Sequence, residues 1–293
     1  MLIAPFAENC FFDDYQGFRL KKDTVLFYIC RFLSFFFMRL SIVQTSLHWE
    51  NPDANRAMLA ATLAPMTGQT DLIVLPEMCT TGFSMNAAAL AEDMDGPTMR
   101  WLREQASRLG AAIAGSFICR DGDRYYNRLV FMRPDGSFHY YDKRHLFGLT
   151  GEHLAYTPGA ERLVVEWMGW RICPLVCYDL RFPVWSRQRK ADPYDLLLYV
   201  ANWPSRRGHH WRSLLPARAI ENQCYVAGVN IVGADGNGYE YQGDSGVWDF
   251  FGQNICRISG QAGVCTSLLN LEDLRAYRQQ LPFLDDADGF DFD

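Results

Sequence analysis

From Met38 onward the chain alternates short apolar runs with amphipathic stretches, the pattern of strands and helices taking turns. Leu40–Thr45 reads as a strand, and Pro52–Leu63 as a helix whose first turn carries Pro52 and Asp53. Asp71–Leu75 is apolar from Leu72 and stops at Pro76, as expected of a central strand buried on both faces. Pro97 opens a second helix that reaches Leu109, with Gly110 as its C-cap. Ala111–Cys119, Tyr125–Met132 and Phe138–Tyr141 follow as strands, separated by the turn signals Asp121-Gly122 and Pro134-Asp135-Gly136. Leu163–Trp167 and Trp170–Val176 repeat the strand–turn–strand pattern, Arg181–Lys190 is expected to be helical, and Asp195–Val200 is another buried strand. His209–Gln223 reads as a helix in which Pro216 predicts a kink or a break. Tyr225–Val232, Gly246–Phe250, Ile255–Ile258 and Val264–Leu269 supply the remaining strands, and Leu271–Gln280 a closing helix ahead of an acidic tail. No Pro/Ser-rich linker interrupts this order. It predicts one α/β domain over residues 38–293, with two sheets covered by helices.

Composition changes this picture little and narrows the function. Of 293 residues, 28 are Lys or Arg and 34 Asp or Glu, a formal charge of −6, and no basic run exceeds Arg206-Arg207. Nucleic acid needs a basic face, so a small-molecule substrate is the expected partner. Nine cysteines at irregular spacing, without a CxxC pair, read as a reduced, cytoplasmic protein whose cysteines mainly fill the core. The apolar segment Val25–Phe37 is too short to span a membrane, carries Arg31, and is followed by no small-residue cleavage site. Residues 1–37 are therefore expected to lie outside the fold, with translation naturally beginning at Met38, and no membrane partner is expected.

Three polar residues stand just beyond predicted strands: Glu77 after LIVLP, Lys143 after HYYD, and Cys177 after ICPLV. In α/β folds such positions are where ligands meet the scaffold. Each alone is an ordinary surface or core residue. Together, a carboxylate, an ammonium and a thiol are the parts of a covalent acyl-transfer site, because a thiol needs a base and an oxyanion needs a cation.

The words around these residues go further. LPEMCTTGF, YDKRHLF and PLVCYDLRFPVWSR resemble the three motif blocks of the nitrilase superfamily of carbon–nitrogen hydrolases, as do YVANWP, ARAIENQCYVAGVN and GDSGV in the same order. The resemblance covers nearly all of Met38–Leu284. It implies a four-layer α-β-β-α sandwich that commonly dimerises, so a homodimer is expected. It also implies Glu77 as general base, Lys143 as oxyanion donor, Cys177 as nucleophile, Glu152 as a second glutamate orienting the nucleophile and substrate, and the backbone N–H of Tyr178 as the other oxyanion donor. DKRHLF with CYDLRFPVWSR and NWP is most similar to the omega-amidase branch, whose members hydrolyse the terminal amide of 2-oxoglutaramate and 2-oxosuccinamate without a cofactor. A carboxylate at the far end of such a substrate needs a cation. Arg181 is the candidate, its alternative being an ion pair with Asp179 or another acid that shapes the loop. Phe83, Phe147 and Trp203 are candidate walls of a small pocket.

Other signals fall short. His209-His210 lacks the spacing and partner acids of a metal site, Gly236-Asn237-Gly238 lacks the context of a dinucleotide loop, and Cys173 beside Cys177 reads as packing. No metal or cofactor is expected. Within the resemblance, an amidase for deaminated glutathione and a true nitrilase are alternatives. From another class, a non-catalytic scaffold is the competing reading.

Overall fold

The central apolar runs lack a polar face because their strands, such as Leu72–Val74 and Leu196–Val200, are covered on both sides. The computed structural model describes residues 36–291. Nearly all of the amino-terminal segment discussed above lies outside the described residues. Of it, Phe37 opens the first strand and the Phe36 carbonyl accepts from the Leu271 N–H.

One six-stranded sheet contains β1 (Phe37–Gln44), β2 (Leu72–Val74), β3 (Ala112–Asp121), β4 (Arg124–Met132) and β5 (Phe138–Asp142), with β14 (Gly263–Asn270) on the outer edge beside β1. Here β1, β2 and β3 run parallel, with Leu40 opposite Leu72 and Leu72 opposite Ala112. The second sheet contains β6 (Val165–Trp167), β7 (Trp170–Val176), β8 (Leu196–Val200), β9 (Tyr225–Val229), β12 (Ser245–Trp248) and β13 (Asn254–Ile258). In it β7, β8 and β9 are parallel, with Ile172, Leu196 and Tyr225 side by side.

Alternation along each strand decides which layer a side chain joins. Leu40, Ile42, Leu72, Val74, Leu129 and Phe131 point between the sheets, where they meet Ile172, Leu196 and Leu198. Val43, Ile73, Ile113, Val130 and Met132 point the other way, beneath helices α1 (Pro52–Leu63) and α3 (Pro97–Leu109). A one-turn helix, α2 (Ala87–Leu90), lies between them in sequence. Across the second sheet, α6 (Gly208–Asn222) packs on β9 and β12. It approaches so closely that a Cβ on Gly228 would stand 2.5 Å from Leu215, which is why that strand position has no side chain. The result is the helix–sheet–sheet–helix layering expected from the sequence.

Four local expectations change. Arg181–Lys190 is not one helix: a 3₁₀ turn over Cys177–Arg181 gives way to α5 (Pro183–Ser186), because Phe182 before a proline is held extended and Arg187 is extended again. Pro216 does not break α6, which runs unbroken over 15 residues. Tyr225–Val232 divides into β9 and β10 (Val232–Ala234) at Asn230, whose Oδ1 accepts the N–H groups of Trp203 and Ile231. β10 pairs instead with β11 (Glu240–Gln242) as a small hairpin. Finally, Cys256 and Cys265 are joined by a disulfide, so they depart from the reading of the cysteines as reduced. A separation of nine residues across the β13–β14 connection brings their Cα atoms to 6.4 Å. Cys173 is buried in the hydrophobic core.

Candidate active site

β2, β5, β7 and β8 all end at one rim of the sandwich, and the polar residues that follow them converge there. Glu77 lies just past β2, Lys143 immediately after β5, Cys177 immediately after β7 and Asn202 just past β8. Glu152 comes from α4 (Glu152–Ala155), the one-turn helix after the Lys143 loop. Glu77, Lys143 and Glu152 are almost wholly removed from solvent. The Lys143 Nζ donates to Glu77 Oε1 at 2.9 Å and to both Glu152 oxygens at 2.9 and 3.0 Å. Asn127 Nδ2 donates to Glu77 Oε1 at 2.8 Å. The Asn202 N–H donates to Glu77 Oε2 at 2.8 Å, and its side-chain amide to the Glu77 carbonyl at 2.7 Å. The Phe147 N–H donates to Glu152 Oε2, fixing the second glutamate from behind. All four carboxylate oxygens of the two acids thus accept a hydrogen bond.

Cys177 sits on a left-handed backbone with φ 44°, strained for a residue with a side chain. That turn is held by Asp179, which accepts from the Val176 N–H at 3.0 Å, the Tyr141 hydroxyl at 2.8 Å, and the His145 N–H and Nδ1 at 3.0 and 2.8 Å. Tyr141 belongs to β5, so one carboxylate ties the strand of Lys143 to the turn of Cys177.

The charges follow from burial and neighbours. Burial pulls the Lys143 pKa down, but Glu152 and Glu77 outweigh it and hold the ammonium charged. Burial raises Glu152 above the usual carboxylate range, with Lys143 opposing and the Glu77 charge adding to the rise. The Cys177 thiol is pushed well up by burial and by the nearby Glu77 charge, with a hydrogen bond to Glu77 acting in the same direction. The resting sulfur is therefore a thiol. To serve as a nucleophile it would have to give up that proton to a base.

Cys177 and Lys143 face a cavity of about 530 Å³. Phe83, Phe147 and Trp203 stand in its wall as expected, and the Lys143 ammonium lies 5.1 Å from the Phe83 ring centre. Arg181 lines it too. Its guanidinium donates to His210 Nδ1 at 2.8 Å and rests 4.9 Å from the centre of the Trp203 ring, while the Asp179 carboxylate is taken up by the groups named above.

Comparison with known sequences and structures agrees with this arrangement. A sequence model of the carbon–nitrogen hydrolase family matches residues 39–279. The chain belongs to this family. It is a hydrolase acting on carbon–nitrogen bonds. It is 50% identical over 256 residues to an omega-amidase of Yersinia enterocolitica, an alignment covering 86% of this chain and 98% of that one. Identity to a 2-oxoglutaramate amidase of Bacillus subtilis is 33% over 250 residues, covering 84% and 96% of the two chains. A crystal structure of a carbon–nitrogen hydrolase superfamily protein from Xanthomonas campestris, with an arsenic adduct in its active site, is 51% identical. It superposes with a TM-score of 0.86 over 88% of this chain and 99% of that one.

In this carbon–nitrogen hydrolase, several residues around the cavity were not singled out from sequence. Asn127 lies mid-strand in β4, where nothing but its burial marks it. Asn202 was legible only as part of YVANWP. Trp49, Asp235, Tyr239 and Tyr241 close the outer wall from the β1–α1 loop and the β10–β11 hairpin. The Tyr241 hydroxyl donates to Asp235 at 2.8 Å. Arg207 also lines the cavity, its guanidinium 5.0 Å from the centre of the Phe147 ring. The Arg206-Arg207 pair was visible in the sequence, without any reason to place it here.

Proposed function

We propose that the chain is an omega-amidase, hydrolysing the terminal amide of 2-oxoglutaramate and 2-oxosuccinamate to ammonia and the 2-oxo diacid. The observation that carries the reading is the buried Glu77–Lys143–Glu152 cluster beside the Cys177 thiol at one cavity. The relatives named above supply the substrate class. In the proposed reaction Glu77 takes the Cys177 proton as sulfur attacks the amide carbonyl. Lys143 and the Tyr178 N–H hold the tetrahedral oxyanion, and Glu152 keeps Lys143 in place. The C–N bond breaks as Glu77 returns the proton to the departing ammonia, leaving a thioester. Water then attacks with Glu77 as base, and the acid and free thiol are restored. Arg181, Phe83, Phe147 and Trp203 shape the pocket around the acyl chain.

The test is release of ammonia or amine from 2-oxoglutaramate, glutamine, deaminated glutathione and a simple nitrile, by native protein and Cys177→Ala. Turnover of 2-oxoglutaramate that disappears in the variant is expected. Preference for deaminated glutathione would keep the chemistry and overturn the substrate. Turnover that survives in Cys177→Ala would overturn the mechanism.

A further inference from the structure

Three arginines, Arg181, Arg206 and Arg207, line the cavity, and none has an acidic partner among the described residues. Several arginines elsewhere do have one. Arg56 pairs with Glu92, Arg128 with Asp142, Arg218 with Glu221 and Arg278 with Asp195. The three also differ from one another. Arg206 is exposed, against the Tyr239 ring at 5.0 Å. Arg181 already donates to His210. The half-buried Arg207 guanidinium has only the face of Phe147, with no acceptor among the described residues.

Its position is nevertheless fixed. The Arg207 N–H donates to the Pro204 carbonyl at 3.0 Å, and its own carbonyl accepts from Trp203 Nε1 at 2.8 Å. Phe147, beneath the guanidinium, is tethered through its N–H to Glu152 and so to Lys143. The backbone that carries the cation and the ring it rests against are therefore both anchored. Guanidinium keeps its charge at any ordinary pH, so it cannot escape burial by losing a proton. Burial and the neighbouring Arg206 and Arg181 pull its pKa down, the reverse of what an ion pair does. An arriving carboxylate would relieve both.

We propose that Arg207 binds the carboxylate at the end of the substrate remote from the scissile amide, with Arg181 beside it, and so selects ω-amides of diacids over uncharged amides. The inference rests on the amidase reading above and assigns its specificity to a residue that reading did not use. Planar, bidentate recognition of carboxylate is what a guanidinium supplies and an ammonium does not.

The experiment compares native protein, Arg207→Ala, Arg207→Lys and Arg181→Ala on 2-oxoglutaramate and on pentanamide, an uncharged amide of the same chain length. In Arg207→Ala the ratio of kcat/KM for the charged over the uncharged amide is expected to fall roughly 10–100-fold, mainly through KM. Arg207→Lys is expected to recover part of it. Binding of the product dianion 2-oxoglutarate, followed by calorimetry, is expected to weaken by a similar factor in Arg207→Ala. Equal losses on both amides, unchanged 2-oxoglutarate binding, or a selective loss that follows Arg181→Ala instead would each overturn the assignment. If native protein hydrolyses neither amide the amidase reading fails, and the 2-oxoglutarate titration still decides the role of Arg207.

Discussion

Without the Lys143 ammonium, two buried carboxylates would face each other in a space that excludes water. Lys143→Met is therefore expected to lower kcat by about 10²–10³ through loss of the proposed oxyanion donor. It is also expected to destabilise the fold by about 3–5 kcal/mol, because the partners of a buried ion pair are left uncompensated. Steady-state kinetics and urea unfolding separate the two effects, and the double variant Lys143→Met/Glu152→Gln should recover part of the stability but none of the rate. Cys177 gives a pH prediction whose sign follows from its raised pKa. Since the folded-state value lies above that of a free thiol, about 8.5, the thiolate is the minor form at neutral pH. Alkylation by iodoacetamide should rise with pH only through values above that of free cysteine. Cys177 is the one free cysteine among the described residues that is not fully buried, so mass spectrometry can read the reaction there. An inflection below pH 8 would contradict the account. At this scale the sequence was informative: Glu77, Lys143 and Cys177 were marked by strand ends, and Glu152 by resemblance. Asn127 was not, because an asparagine in an apolar strand carries no periodic signal, and Asn202 was legible only within YVANWP.

The turn after β7 and the end of β5 act as one element because Asp179 accepts hydrogen bonds from both. Asp179→Asn exchanges an acceptor oxygen for a donor amide facing the Val176 and His145 N–H groups. A loss of about 2–3 kcal/mol is expected, with kcat falling more than KM rises, since the thiol is displaced while the pocket wall remains. Thermal unfolding and kinetics on the same variant check this. Helix α6 makes the opposite prediction. Pro216 removes one helical hydrogen bond, and the helix persists because Trp211, Leu215 and Ala219 bury their faces against the second sheet. Pro216→Ala should therefore stabilise the protein by about 1–2 kcal/mol, seen as a higher midpoint in chemical denaturation. The sequence overstated this proline because local propensity was weighed without knowing how much packing would oppose it. It overstated the helix at Arg181–Lys190 for the converse reason. A polar, aromatic stretch with helical composition was instead drawn into extended contacts, with Gln188 hydrogen-bonded to Tyr194 and Asn222.

At the scale of the whole molecule the site exists only because two sheets meet. Glu77, Lys143 and Glu152 belong to the first sheet and its loops, while Cys177, Asn202 and Arg207 belong to the second. The homodimer expected from the family resemblance remains a proposal at this scale. Exposed apolar side chains such as Val184, Ile220 and Phe251 offer surface for it. Sedimentation equilibrium should give twice the 33.6 kDa protomer mass, and a protomer mass at micromolar concentration would refute it. By itself the sequence determined which segments would be strands buried on both faces and which helices would cover them. It also determined which three strand ends carried a carboxylate, an amine and a thiol. Those features are local: hydrophobic period, proline and glycine punctuation, and words of a few residues. Tertiary structure alone decided that Lys143 and Cys177, 66 and 100 positions from Glu77 in the chain, both come within hydrogen-bonding range of it. It also decided that Arg207 faces the same cavity without an acid of its own. Such long-range meetings are set by the register and crossing of the sheets, which no window along the chain contains.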